Sequence, residues 1–134
     1  MGFLANIFGS PRPQPRTVIK NVLGETLLEI PARDLVGSTC LRDRDLAFAD
    51  LRGNCLCGAD LENTILFGAD LRDCDFTHCN LKNANLAYAR IEGANFRRAA
   101  LDGVDLLHTD IRLTQLDEAI ITPTSTIPGI RVVE

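Results

Sequence analysis

The sequence predicts an all-β solenoid, one stack of short strands joined by tight turns, and three observations carry that expectation. An apolar residue stands at every fifth position from Val36 to Ile121, through Leu41, Leu46, Leu51, Leu56, Leu61, Leu66, Leu71, Phe76, Leu81, Leu86, Ile91, Phe96, Leu101, Leu106, Ile111 and Leu116. With 46% hydrophobic residues, filling all 18 sites of one preset register by chance has odds of about one in a million. Two residues before these centres, 15 of the 18 sites hold a small residue, such as Ala49, Thr64, Cys74, Cys79 or Val104; the exceptions are Asp34, Arg44 and Asn54. Aromatic residues make up only 5% of the chain and Trp is absent, so a core has to be built from Leu, Ile, Val and Ala.

A spacing of two places the centre and its small partner on one side of an extended segment, with the residues between them outward. Five matches neither the 3.6 period of a helix nor the period of two in a long strand, so the chain has to bend once per unit. Stretches such as Ala49-Asp50-Leu51-Arg52-Gly53, Ala59-Asp60-Leu61-Glu62-Asn63, Ala69-Asp70-Leu71-Arg72-Asp73 and Ala84-Asn85-Leu86-Ala87-Tyr88 resemble the A(D/N)LXX units of the pentapeptide-repeat family over about two thirds of the chain. That resemblance implies a right-handed quadrilateral β-helix, with four pentapeptides to a coil. Eighteen units then make about four and a half coils, standing ~20 Å tall at the usual inter-strand spacing. Phe76 and Phe96, twenty residues apart, are expected to stack inside the helix between Leu56 and Leu116.

Four segments follow in order. Residues 1–16 read as a leader ending in the stiff spacer Pro11-Arg12-Pro13-Gln14-Pro15, which holds Met1 to Phe8 away from the body. Residues 17–33 contain two β-rich runs, Thr17 to Val22 and Thr26 to Ile30, split by Leu23-Gly24-Glu25, and read as a hairpin capping the first coil. Residues 34–121 are the repeats. Residues 122–134, with Ile127, Ile130, Val132 and Val133, are expected to fold across the last coil, because an open solenoid end exposes core and unpaired edges.

Sorting outward residues by a coil of twenty separates the faces. Around Leu51, Leu71, Ile91 and Ile111 run Asp50, Asp70, Arg90 and Asp110 in one column and Arg52, Arg72, Glu92 and Arg112 in another, which reads as a charge ladder paired across coils. On the opposite side, around Leu46, Leu66, Leu86 and Leu106, an apolar stripe of Ala47, Phe48, Ile65, Phe67, Ala87, Tyr88 and Leu107 is the candidate interaction surface. It reads as an interface, as a surface covered by the chain's own termini, or as a chance run of apolar residues. The leader offers a second candidate, a tether of Phe3, Leu4, Ile7 and Phe8, too short to bind a bilayer strongly alone.

Composition narrows the chemistry. Five cysteines and no secretion signal point to a reduced, cytoplasmic setting. No segment reaches the roughly 18 to 20 apolar residues of a membrane helix. The net charge of −4, concentrated as −6 over residues 34–121, argues against direct nucleic-acid binding. Cys55 and Cys57 point outward while Cys74 and Cys79 occupy inward sites, and no paired CxxC motif is present, so no metal site and no cofactor are expected. His78 and His108 fall on different faces, and neither has a neighbouring Ser or Cys arrangement that reads as a catalytic triad, so no enzyme activity is expected either.

The expected function is a scaffold that binds a protein partner, or a second copy of itself as a homodimer, through the stripe. Two alternatives stand beside it. Resemblance to the quinolone-resistance branch of the family implies an acidic, DNA-mimicking protein that binds gyrase, and the leader implies an accessory protein tethered to a partner or, weakly, to a membrane through residues 1–8.

Overall fold

The computed structural model of the protein describes residues 16–30, 35–121 and 125–126. The predicted leader with its tether residues, and most of the predicted C-terminal segment, lie outside them.

Two strands open the described chain, β1 (Thr17–Asn21) and β2 (Thr26–Ile30), paired antiparallel with Thr17 opposite Ile30. Their turn is built by Asn21, whose Oδ1 accepts the N–H groups of Leu23 and Glu25 at 3.0 and 2.9 Å, and by Gly24 at φ +87°. The free edge of β1 pairs antiparallel with β3 (Ala49–Asp50) in the first coil, and Val22 N–H donates to Phe48 O at 2.9 Å. The hairpin thereby continues the sheet past the first coil and buries Ile19 and Ile30, which closes an edge that would otherwise template association.

From there the chain winds as a helix of four-sided coils. Parallel bridges join residues twenty apart on each side: Asp45 to Ile65, Asp50 to Asp70, Cys55 to Asp75 and Asp60 to Asn80. The pentapeptide explains each side. The centre and the small residue two before it point inward and are buried, as with Leu66 and Thr64. The next two residues form a turn closed by a bond from the following small residue's N–H to the centre's carbonyl, such as Ala69 N to Leu66 O at 3.0 Å. Except at Leu113, the second turn residue from Asp43 to Glu118 has left-handed φ, filled by glycine at Gly53, Gly58, Gly68, Gly93 and Gly103 and elsewhere by residues carrying a Cβ. Inside, Phe76 and Phe96 stack at 4.8 Å and 6°, as their spacing of twenty requires.

The register breaks at both ends. Val36, expected inside, is 51% exposed, and Leu35 takes the inward place at 1%. Six residues instead of five separate Leu35 from Leu41, and Asp60 N–H reaches Ser38 O, 22 residues back, where Asp70 reaches Ala49, 21 back. Thr39, expected inward, is therefore exposed. One more residue enters near the C-terminal end, where Asp105 bridges Thr126 instead of a residue twenty on. Beyond the slip Ser125 fills an inward small-residue place, its hydroxyl donating to Leu101 O. No described helix is long and apolar enough to cross a membrane.

The sequence-based layout of faces also needs correcting. The sides centred on Leu46 and Leu51 are consecutive pentapeptides, so the apolar stripe adjoins the charged face. It lies opposite the side centred on Leu56, Phe76 and Phe96.

Candidate functional site

On the side centred on Leu46, Leu66, Leu86 and Leu106, four rings from four coils meet in one line. Phe48 packs edge-on against Phe67 at 5.8 Å, Phe67 tilts against Tyr88 at 5.3 Å, and Tyr88 stacks on His108 at 4.6 Å. Such contacts add roughly 0.5 to 1.5 kcal/mol per pair to their burial. Phe67 comes from the first turn position, whereas Phe48, Tyr88 and His108 come from the left-handed second position, with φ of +60°, +60° and +57°. Bulky residues there pay a steric cost that glycine avoids.

Gly68 makes the arrangement possible. A Cβ on Gly68 would lie 2.6 Å from Cε1 of Phe48, so the missing side chain is the space into which that ring folds. Ile65 and Leu107 flank the rings at 40% and 45% exposure, and Phe48 and Tyr88 are about half exposed. Of the predicted stripe, Ala47 and Phe67 are half-buried and Ala87 is buried. His108 was absent from the predicted stripe. The signal that finds it is the twenty-residue spacing of second turn positions from Phe48 through Gly68 and Tyr88.

The adjoining charged face is organised within each pentapeptide more than between coils. Asp70 holds Arg72 through two bonds of 2.8 and 2.6 Å, and Asp50 holds Arg52 through two of 2.9 Å; across coils, Arg52 Nε lies 3.6 Å from Asp70 Oδ2. The expected cross-coil ladder is thus mostly a series of pairs two residues apart, because residues before and after a centre lean over the same patch. The Arg72 guanidinium holds the Asp70 carboxyl below its ordinary range, Arg52 does the same for Asp50, and Arg112 brings Asp110 down to about 2.

The acidic and amide residues before the centres have a further local task. The Oδ1 atoms of Asp45, Asp60, Asp75, Asn80, Asn85, Asn95 and Asp105 each accept the N–H two residues on, at 2.9 to 3.2 Å. Much of the negative charge is therefore used to cap the chain's own turns or to hold a neighbouring arginine.

The cysteines divide by position. Cys74 and Cys79 are buried and donate to Leu51 O and Leu56 O at 2.8 and 2.7 Å; burial pushes both thiols up to about 12. Thr64 and Thr109 do the same with hydroxyls, to Leu41 O and Leu86 O. Cys55 and Cys57 are joined as a disulfide, and Cys40 is exposed. Asp75 brings a carboxylate oxygen within 4.8 Å of both sulfurs, which makes this the described cluster whose residue types could ligate a cation. With the sulfurs bonded to each other, neither offers a thiolate.

A filled four-sided β-helix carrying a ring stack on one side and ion pairs on the next is, as a class, a repeat solenoid. The family model described as pentapeptide repeats (8 copies) matches residues 45–83 and again residues 79–117, and the chain belongs to the pentapeptide-repeat family. No curated protein matches it. Among solved structures it is similar to the pentapeptide repeat protein Rfr23 from the cyanobacterium Cyanothece 51142, at 31% identity and TM-score 0.56 over 57% of this chain and 52% of that one. It is also similar to a pentapeptide repeat protein of the Arabidopsis thaliana thylakoid lumen, at 20% identity and TM-score 0.46 over 75% of this chain and 72% of that one. A third similarity, at 19% identity and TM-score 0.40 over 64% of this chain and 54% of that one, is to QnrB1, a plasmid-mediated fluoroquinolone resistance protein. The chain spans about half the length of Rfr23 and of QnrB1.

Proposed function

We propose that this protein is a non-catalytic scaffold that binds a protein partner, or a second copy of itself, through the ring stack of Phe48, Phe67, Tyr88 and His108 with Ile65 and Leu107 at its margins. The observation that carries the reading is the unbroken run of ring contacts across four coils on an exposed face. Aromatic side chains supply large contact area with few rotatable bonds, which is why they concentrate at the centres of interfaces. Kept in left-handed turn positions, Phe48 and Tyr88 are costly to local stability, and a binding role accounts for that cost.

The acidic character of the body offers less support to the DNA-mimicking alternative, since Asp50, Asp70 and Asp110 are held by arginines and Asp45, Asp60, Asp75 and Asp105 cap turns. The tether proposed for Phe3, Leu4, Ile7 and Phe8 lies outside the described residues and is compatible with either reading, as is a cytoplasmic location.

The test compares wild type with Phe67→Glu by sedimentation velocity for self-association and by capture from native lysate for partners, with circular dichroism checking the fold. A charge in the middle of the stack should abolish association and leave the β signal unchanged. Association that survives the substitution, or a wild type that associates with nothing, overturns the reading.

A further inference from the structure

On the side opposite the ring stack, Cys55 and Cys57 flank the buried centre Leu56. The repeat's geometry brings such flanking side chains together. Asp50 meets Arg52, Asp70 meets Arg72 and Asp110 meets Arg112, all two residues apart over a buried centre. On the next coil of the cysteine side, Asp75 Oδ1 meets the hydroxyl of Thr77. Cys55 stands where Asp or Asn caps the turn in most units, and a sulfur is a poor substitute acceptor for that cap. With Cα atoms 5.5 Å apart, the same convergence joins the two sulfurs.

The bond has little structural reason. Cross-linking stabilises by removing loops from the unfolded chain, and a loop closed over one intervening residue removes almost nothing. The packing tasks open to sulfur are carried instead by Cys74 and Cys79, buried and inert. Cys55 is exposed and Cys57 half-buried, so the pair is open to other thiols and disulfides.

We propose that Cys55 and Cys57 form a reversible dithiol–disulfide couple that exchanges with small-molecule disulfides of the glutathione class, a redox modification site on the face away from the ring stack. Starting from the reduced pair, the thiolate of one cysteine attacks a sulfur of the small disulfide, breaking its S–S bond and releasing one small thiol. The second cysteine, as thiolate, attacks the mixed disulfide, forms the Cys55–Cys57 bond and expels the second small thiol. Two electrons pass from the protein pair to the small disulfide, and the two protons lost from the cysteines appear on the released thiols. In a reducing compartment the sequence runs backwards.

The test treats the fully reduced protein with oxidised glutathione, blocks remaining thiols with a maleimide and maps the peptides by mass spectrometry, alongside Cys57→Ser. In wild type, the peptide holding Cys55 and Cys57 should lose two hydrogens, carry no glutathione and escape the maleimide, while exposed Cys40 retains a glutathione adduct. In Cys57→Ser, which replaces an outward thiol with a hydroxyl, Cys55 should accumulate the adduct because nothing expels it. Two maleimide-labelled cysteines in oxidised wild type, or a stable adduct on Cys55 or Cys57 in wild type, overturns the proposal. Circular dichroism of both proteins confirms that the comparison is between folded chains.

Discussion

Phe76 and Phe96 illustrate how much one residue matters in so narrow a core. Each coil contributes one large inward centre and one small inward residue per face, and both rings are within 1% of full burial and parallel at 4.8 Å. No second layer exists to close over a missing ring, so the cavity left by truncation persists. Phe76→Ala should cost about 3–5 kcal/mol, a large share of a typical domain's stability. Urea unfolding followed by circular dichroism measures it; a loss under about 1 kcal/mol would mean that the coils repack around the gap. Gly68 matters for the opposite reason, since its missing Cβ is what lets Phe48 lie over the next coil.

At the scale of the element, the pentapeptide is a complete local device. Its centre and small residue supply burial, its turn closes on itself, and the residue before the centre caps the N–H after it. Where that residue is Asp and the next outward one is Arg, the cap becomes an ion pair, and the Asp70 and Arg72 pair is the most enclosed, with the Asp70 side chain 9% exposed. Asp70 titrates below its ordinary value of 3.8 in the folded chain, so its contribution is present in full above that value and is lost as the pH falls through the depressed range. Asp50 and Asp110 act in the same direction. The melting temperature of wild type should therefore fall as pH drops below about 4, and Asp70→Asn should melt lower at neutral pH with a flatter acid limb. Parallel acid limbs in the two proteins would show that the Asp70 pair is not what the acid removes. The element also explains why the cross-coil charge ladder expected from the sequence is mostly replaced by pairs inside each unit: two residues apart is nearer than one coil apart for side chains leaning over the same centre.

For the whole molecule, stability is a sum over neighbouring coils, because parallel bridges join each unit only to units one coil before and after it. The two ends differ. At the first coil β1 pairs with β3 and buries Ile19, whereas toward the other end Ile111, Leu116, Ala119 and Ile121 are only partly buried. Backbone amides between residues 111 and 121 should exchange with deuterium faster than those between 61 and 101, with protection falling in steps from coil to coil. Uniform protection along the solenoid would mean that it opens as a single cooperative unit.

The inward or outward sense of nearly every side chain from Leu41 to Leu106 was determined by the sequence alone, because a period of five is local and each unit repeats the same bend. The family resemblance added the four-sided closure, and the stacking of Phe76 on Phe96, twenty residues apart, follows from it. Only the tertiary structure decided the slip that puts Leu35 inside in place of Val36, since one inserted residue between two units is invisible until the coils are stacked and their hydrogen bonds counted. Only stacking decided that Phe48, Phe67, Tyr88 and His108 form one line of rings, since Phe67 and the others come from different turn positions and meet through their rotamers and the space above Gly68. The joining of Cys55 to Cys57 belongs there too. A sequence states that two cysteines flank a buried leucine, but whether their sulfurs meet depends on how sharply the backbone bends over it, and the stacked coils set that bend.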